Sequence, residues 1–184
     1  MSDADHSKAE AMGASLWTFV VDIYGAPGVA KACLALQDRH RCDVNVLLFA
    51  AWMGAVRHRA LTPVEMAEAA ASVRDWHAEV VRPLRSLRRR LKSGPPPAPD
   101  ETSEVLRDRI KRLELDAERI ELTTLETLAA MGHTTESGDG GESLENLEVA
   151  IQHFRGGEPS AEALELVRVI AEGLRTRAVL AATQ

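Results

Sequence analysis

The segment from Val44 to Gly54 restricts the fold of this chain more than any other segment. In a helix its apolar side chains point almost all round: Val44, Leu47, Leu48, Ala51 and Trp52 on one side, Val46 and Phe49 on the other. A helix that is apolar on every side is stable in water only when neighbouring elements cover it on every side. We therefore expect residues 44–53 to form a buried central helix surrounded by other helices.

The composition of the chain favours helices throughout. Aromatic residues make up only 4% of the sequence, and alanine, leucine, glutamate and arginine are abundant, which favours helix over a β-sandwich. No segment shows the alternation of a convincing strand. The sequence predicts an all-α protein with six to seven helices. It also predicts a disordered N-terminus over residues 1–14 and one helical domain over residues 15–184.

Residues 62–131 have the pattern of a long antiparallel helical hairpin. Thr62 and Glu65 have the spacing of a capping box, and apolar residues then recur every three or four positions up to Leu91. The pattern continues across Pro83, which cannot donate to the helix ladder and therefore predicts a kink between residues 79 and 83. The proline-rich residues 93–100 predict a stiff linker. A second long helix follows over about 101–131, with Leu106, Ile110, Leu113, Ala117, Ile120 and Leu128 predicted to face inward.

A second linker is predicted at residues 133–143, HTTESGDGGES. This stretch contains three glycines and no aliphatic or aromatic side chain. Such a stretch cannot bury enough apolar surface to offset the entropy lost on ordering. We expect it to be a mobile loop before the last two helices.

Charge, cysteines and hydropathy limit the location and the partners. The net charge of −6 makes general nucleic-acid binding an unfavoured function. Cys33 and Cys42 form no CxxC pair and predict two reduced thiols. The first residues resemble no secretory signal, and no run of 18 apolar residues predicts a membrane span. We expect a cytoplasmic protein without a membrane partner.

Asp43 is the first candidate for chemistry because it directly precedes the apolar segment. Its simplest role is to cap the helix, with the carboxylate accepting a backbone N–H two or three residues later. Acid–base catalysis would need a second titrating group nearby, and Asp38, His40 and His77 are the candidates. The sequence does not bring any of them together. We therefore favour the structural role and predict no catalytic residue.

The sequence predicts no metal site and no cofactor. Its six histidines are scattered, and neither HExxH nor a paired CxxC occurs. Glu114, Glu118 and Glu121 share one helical face by spacing, with Lys111 and Arg119 between them. This pattern predicts a solvated, ion-paired face and disfavours a set of carboxylate ligands.

The most unusual charged segment is RPLRSLRRRLK, residues 82–92, which contains no acid. Cations stabilise the C-terminal end of a helix, and residues 100–126, with nine acids against five bases, could compensate them. Alternatively, the cluster binds an anion or a protein partner. No aromatic residue lies between the arginines to stack on a base, so nucleic acid stays unlikely. The candidate residues for this site are Arg82, Arg85, Arg88, Arg89, Arg90 and Lys92.

Two functions remain compatible with the sequence. The favoured one is a non-enzymatic protein-interaction or regulatory module whose arginine cluster binds a protein partner or a small anion. The alternative is a small-ligand-binding protein or an enzyme with a pocket between helices. That pocket would be lined by Trp17, Tyr24, Asp43, Asn45, Trp52, Trp76 and His77. The sequence leaves the partner, the ligand and the oligomeric state open.

Several short motifs together resemble a known family. They are Leu16-Trp17, Phe19, Tyr24, Pro27-Gly28-Val29, Leu36-Gln37-Asp38, Asp43-Val44-Asn45, Trp52, Trp76, Val81-Arg82-Pro83-Leu84-Arg85, Arg88-Arg89, Leu91-Lys92, Glu114-Leu115 and Ala117-Glu118-Arg119. Over residues 15–131 the chain resembles a small proteobacterial family of helical proteins that is known only as a domain of unknown function. The resemblance implies a helical fold and a cytosolic bacterial origin. It implies no activity, cofactor or catalytic residue.

Overall fold

Seven helical rods follow one another in the computed structural model, which describes residues 15–131 and 142–182. The fourth rod is divided by a π-helical turn. The described residues contain no strand, so the prediction of an all-α fold is confirmed. The elements are α1 Leu16–Tyr24, α2 Val29–His40, α3 Val44–Ala55, α4 Pro63–Trp76, the π-turn His77–Val81, α5 Arg82–Arg90, α6 Glu101–Met131, α7 Glu142–Arg155 and α8 Ala161–Ala182.

Helix α3 is covered along its whole apolar length. Every residue from Val44 to Gly54 is buried. Helix α7 packs most extensively against it, and α6, α1, α2 and α4 cover the remaining sides. At the C-terminal end Gly54 lies so close to α7 that a β-carbon there would come within 2.3 Å of the Ser143 nitrogen. This close approach leaves no room for a side chain at position 54.

The long rod from residue 63 to residue 90 begins with the predicted cap and contains an irregular turn before Pro83. The Thr62 hydroxyl accepts the Glu65 N–H at 3.2 Å, and the Glu65 carboxylate accepts the Thr62 N–H at 2.9 Å, which is a capping box. The disturbance predicted before Pro83 takes the form of the π-turn. There the Arg82 N–H donates to the His77 carbonyl, five residues back. The wider turn accommodates a proline that cannot donate to the helix ladder.

Helix α6 runs antiparallel to this rod. Trp76 Nε1 donates to the Ala117 carbonyl at 3.0 Å, and Arg85 Nε donates to Glu114 Oε1 at 2.8 Å. A later residue of the rod thus contacts an earlier residue of α6. Three residues predicted to face inward do not. Leu106, Leu113 and Ile120 are 49%, 55% and 51% exposed, because α6 turns Ile110, Glu114, Ala117 and Glu121 toward its neighbours.

Two residues of the segment predicted to be a mobile loop are helical. Helix α7 begins at Glu142, so the last two residues of the 133–143 segment are helical. Glu142 is buried and suits the positive end of the helix, and the Ser143 hydroxyl donates to the Ala51 carbonyl at 3.3 Å. Residues 133–141 and the predicted disordered residues 1–14 lie outside the described residues.

Two further sequence expectations concern cysteines and membranes. Cys33 and Cys42 are both free and buried. Among the described residues, no single helix is long and apolar enough to cross a membrane. Helices α1 and α2 reach the length and apolar composition of a membrane span only when they are taken together, and the chain bends by 102° between them.

The close approach at Gly54 generates the first prediction. Gly54→Ala should lower the free energy of unfolding by about 2 kcal/mol, because the new methyl group meets backbone that can move only with α7. The matched control is Gly157→Ala, where a β-carbon meets nothing within 4 Å and stability should be unchanged. Urea unfolding monitored by circular dichroism measures both. A Gly54→Ala variant as stable as the wild type would contradict the described packing.

Candidate functional site

A cleft of about 750 Å³ opens between α1, α2, α5, α6 and the start of α3. Its apolar walls come from Trp17, Val20, Val21, Tyr24, Leu34, Leu115 and Leu122. Asp43, Asn45 and His77 lie among the polar residues that line it. The cleft therefore combines an apolar surface with several groups that can form hydrogen bonds, as small-molecule sites commonly do.

Five of the seven residues of the predicted pocket line this cleft: Trp17, Tyr24, Asp43, Asn45 and His77. The other two do not. Trp52 is buried in the hydrophobic core beside Phe49, and Trp76 is held against α6 by its hydrogen bond to Ala117. Trp52 thus has a packing role, as large aromatic residues usually do, whereas Trp76 is 37% exposed.

The predicted arginine site and the predicted pocket overlap in space. Arg85, Arg88, Arg89 and Lys92 line the same cleft as the aromatic residues. Arg82 lines a second cleft, of about 810 Å³, on the other side of a wall that includes Asp43, His77 and Arg85. Arg90 lines neither of these two clefts. The cluster is therefore distributed between two clefts and the outer surface.

Part of the arginine cluster is compensated within the fold. Arg85 bonds Glu114, Glu118 and the side-chain oxygen of Gln37, and Arg88 also bonds Glu114. Glu114 is buried and Glu118 half-buried, so the solvated face predicted for these glutamates is wrong. They are ion-paired, as predicted, but inside the protein. The guanidinium groups make their burial possible.

The remaining cations of the cluster are less engaged. Arg89 pairs with Asp38 at 2.9 Å on the surface. Arg82, Arg90 and Lys92 make no ion pair or side-chain hydrogen bond with any described residue. Successive helical residues point about 100° apart, so one acidic neighbour cannot serve them all.

Asp43 has two roles at once. Its Oδ1 accepts the N–H of Asn45 at 2.9 Å and that of Val46 at 3.5 Å, which makes it the N-cap of α3 as the sequence predicts. Its Oδ2 lies 2.9 Å from Nδ1 of His77. His77 is one of the acid–base partners that the sequence could name but could not place. The other two candidates, Asp38 and His40, make contacts elsewhere.

Glu121 completes a buried polar cluster that the sequence did not predict. Its Oε1 lies 3.2 Å from His77 Nδ1, and its Oε2 accepts from Asn45 Nδ2 at 3.0 Å. The side chain is fully buried. The one available signal was its seven-residue spacing from Glu114, on a face shared with Ile110 and Ala117. We call Asp43, His77 and Glu121 the buried triad.

The acidities within the triad depend on one another. Burial acts to lower the pKa of His77, but hydrogen bonds and charge from Asp43 and Glu121 outweigh it and raise that pKa to about 9. Burial and the neighbouring Asp43 raise the pKa of Glu121 to about 7, despite the opposing effect of His77. Burial would also raise the pKa of Asp43, but hydrogen bonds with His77, Glu121 and the Asn45 backbone, together with the charge of His77, hold that pKa below its usual value. An imidazolium between two carboxyl groups is therefore the arrangement near neutral pH.

The raised pKa of His77 predicts a pH-dependent stability. Its folded pKa lies above the ordinary 6.5, so its stabilising contribution is complete below pH 6.5 and is lost as the pH rises toward 9. The facing titratable groups are Asp43 from the start of α3 and Glu121 from α6. In metal-free buffer, the melting temperature of wild type should exceed that of His77→Gln most at pH 6 and least at pH 9.

The control for this experiment is His153→Gln, which removes an exposed histidine. Its melting temperature should follow that of wild type across the same range. A constant difference in melting temperature between wild type and His77→Gln from pH 6 to pH 9 would mean that the neighbouring carboxylates do not raise the pKa of His77.

Comparison with known proteins assigns a family but no activity. The family described as "Protein of unknown function (DUF2390)" matches residues 15–125, more than half of the chain, and this range includes every residue of the first cleft and of the triad. No curated protein and no solved structure matches the chain. The match agrees with the resemblance found from the sequence motifs, and the chain belongs to the DUF2390 family of proteins of unknown function.

Proposed function

We propose that this protein binds a small organic anion that carries an apolar portion, in the cleft between α1, α2, α5 and α6. The observation that carries the proposal is the charge of the cleft. Six arginine and lysine side chains line it, Arg85, Arg88, Arg89, Lys92, Arg107 and Lys111, against four aspartate and glutamate side chains, Asp38, Asp43, Glu114 and Glu118. This excess of two cations belongs to a chain whose net charge is −6. A concave site of opposite sign to the rest of the surface attracts and retains anions.

Two lysines supply the charge that remains available. Lys92, just after α5, and Lys111, on α6, make no ion pair with any other described residue. The arginines deeper in the network are already held by glutamates, which fixes their positions. A bound anion would therefore be attracted by the two lysines, and little entropy would be lost in ordering the arginines, which are already held in place.

The walls of the cleft account for the apolar portion of the ligand. Trp17, Val20, Val21 and Leu34 line it from α1 and α2. The guanidinium carbon of Arg119 lies over the Trp17 ring, 5.3 Å from its centroid. Burying an apolar chain against such walls contributes about 25 cal/mol per Å² of surface. We propose binding only and assign no reaction to the cleft. The cytoplasmic location expected from the sequence remains a prediction.

A second candidate is association with another copy of this chain, as a form of the protein interaction that the sequence favoured. Leu106, Leu113 and Ile120 recur every seventh residue on α6 and are about half exposed. Arg109 and Asp116 flank Leu113 and pair with no described residue. Two copies of α6 crossing antiparallel at Leu113 would bring each arginine near the other copy's aspartate, which is a self-complementary pattern.

The ligand proposal predicts selective binding of anions with alkyl chains. In metal-free buffer, octanoate and octyl phosphate should raise the melting temperature, whereas uncharged octanol should not. Lys92→Gln with Lys111→Gln should weaken binding of octyl phosphate about tenfold, because two exposed ion pairs at about 0.7 kcal/mol each are lost. Isothermal titration calorimetry measures the affinity.

The matched control is the double change Arg90→Gln with Arg109→Gln. It removes two cations that also pair with no described residue but line neither described cleft. It should leave the affinity unchanged. Equal binding of octanol, or equal weakening by both double changes, would refute an anion site in this cleft. Weakening by Arg82→Gln alone would place the site in the second cleft and would also refute the proposal.

The self-association candidate predicts a dimer that depends on α6. Light scattering on a size-exclusion column should give twice the chain mass for wild type and a single chain mass for Leu113→Glu, since the new charge would be buried in the contact. Val64→Glu is the control, because Val64 is 67% exposed on α4 and outside this stripe. A monomeric wild type, or equal behaviour of the two variants, would exclude association through α6.

A further inference from the structure

We infer that Asp43, His77 and Glu121 form the protein ligands of a site for one divalent transition-metal ion. The site goes beyond the proposed anion cleft, because neither the charge nor the apolar walls of that cleft require it. It also differs from the expectation of the sequence, which predicted no metal. The inference rests on the geometry of the triad, on the groups that orient it and on its charge.

The three side chains already present one ligand atom each to a common point. His77 Nδ1 lies 2.9 Å from Asp43 Oδ2 and 3.2 Å from Glu121 Oε1, and the ligand atoms all lie within 4.8 Å of one another. Around an ion with bonds of about 2.1 Å, neighbouring ligand atoms are separated by roughly 3.0–3.4 Å. Small side-chain shifts would therefore turn the hydrogen-bonded triad into a coordination shell.

Asn45 orients both carboxylates so that one oxygen of each remains available. Its backbone N–H bonds Asp43 Oδ1 at 2.9 Å, and its side-chain amide bonds Glu121 Oε2 at 3.0 Å. Asp43 Oδ2 and Glu121 Oε1, which face His77, are thus free of these bonds. Hydrogen bonds that fix the non-coordinating oxygen of a carboxylate are typical of protein metal sites.

The charge of the triad also favours a divalent ion. The triad places two carboxyl groups and one imidazole together in a buried site, where ionised groups are costly without a compensating charge. Arg85, which lines both clefts together with Asp43 and His77, is bonded to Glu114 and Glu118 instead. A divalent ion that replaces the His77 proton would bring the charge of the ion and its three ligands to zero.

The ligand types narrow the choice of ion. One imidazole nitrogen with two carboxylate oxygens suits Zn²⁺, Mn²⁺, Fe²⁺ or Co²⁺ better than Ca²⁺ or Mg²⁺. Three protein ligands also leave at least one coordination position open. Asp43 and His77 both line the two clefts, so a molecule in either cleft could reach that position. His77 opens a π-turn, an element that recurs at functional sites.

The experiment uses Co²⁺ and Zn²⁺ with the full chain, freed of metal on a chelating resin and without an affinity tag. Calorimetry should give one ion per chain, and Co²⁺ should show the visible absorption of a protein-bound ion. Glu121→Gln and Asp43→Asn keep the side-chain shape, and Asp43→Asn also keeps a helix cap. Each should weaken Co²⁺ binding at least tenfold. Asn45→Ala should weaken it about tenfold or more without removing a ligand.

The control changes are Glu118→Gln, a half-buried carboxylate outside the triad, and His153→Gln, an exposed histidine. Both should bind Co²⁺ as wild type does. Circular dichroism verifies that each variant is folded, and if the Asp43→Asn variant is not, Glu121→Gln decides the outcome alone. Stoichiometric binding lost only in the triad variants supports the site. No binding by wild type, or equal binding by Glu121→Gln, would identify the triad as a buried ion pair and overturn the inference.

Discussion

The burial of α3 on all sides is the constraint on which the rest of the structure depends. A helix inside a protein carries the unpaired N–H groups of its first turn into the interior, where water cannot satisfy them. Asp43 bonds two of them, but its carboxylate is then itself buried and needs a compensating charge. His77 supplies that charge from the π-turn, and Glu121 joins from α6. Covering one apolar helix thus produces a buried polar cluster where three elements meet.

The same compensation operates beside the cluster. Helix α6 turns Glu114 and Glu118 inward, and Arg85 and Arg88 reach them from α5. These bonds attach the two long helices to each other. Gln37 adds a contact from α2, so that the guanidinium of Arg85 joins three helices. The buried acids and arginines compensate one another, whereas Lys92 and Lys111 line the cleft and pair with no described residue.

The two proposals concern neighbouring but separable chemistry. The cleft offers apolar walls and two lysines that pair with no described residue, whereas the triad offers a nitrogen and two oxygens that already lie close together. Asp43 and His77 line the cleft as well as belonging to the triad, so a bound ion would lie at the edge of the space where an anion would bind. An ion with an open coordination position can hold a carboxylate or phosphate oxygen. The two sites are therefore adjacent, but neither needs the other to be occupied.

The sequence by itself determined the helical class, the central apolar helix, the cap at Asp43, the capping box at Thr62 and the disturbance before Pro83. Each of these depends on residues within a few positions of one another, whose spacing is fixed by helix geometry. Only the tertiary structure decided that His77 and Glu121 meet Asp43, that Glu114 is buried, and that Leu113 is exposed. These facts depend on the rotation and register of α6 against the rod from residue 63 to residue 90. Helical spacing alone cannot fix that rotation, because the leucines and the glutamates of α6 form adjacent stripes on the helix, and the packing of the whole domain selects between them.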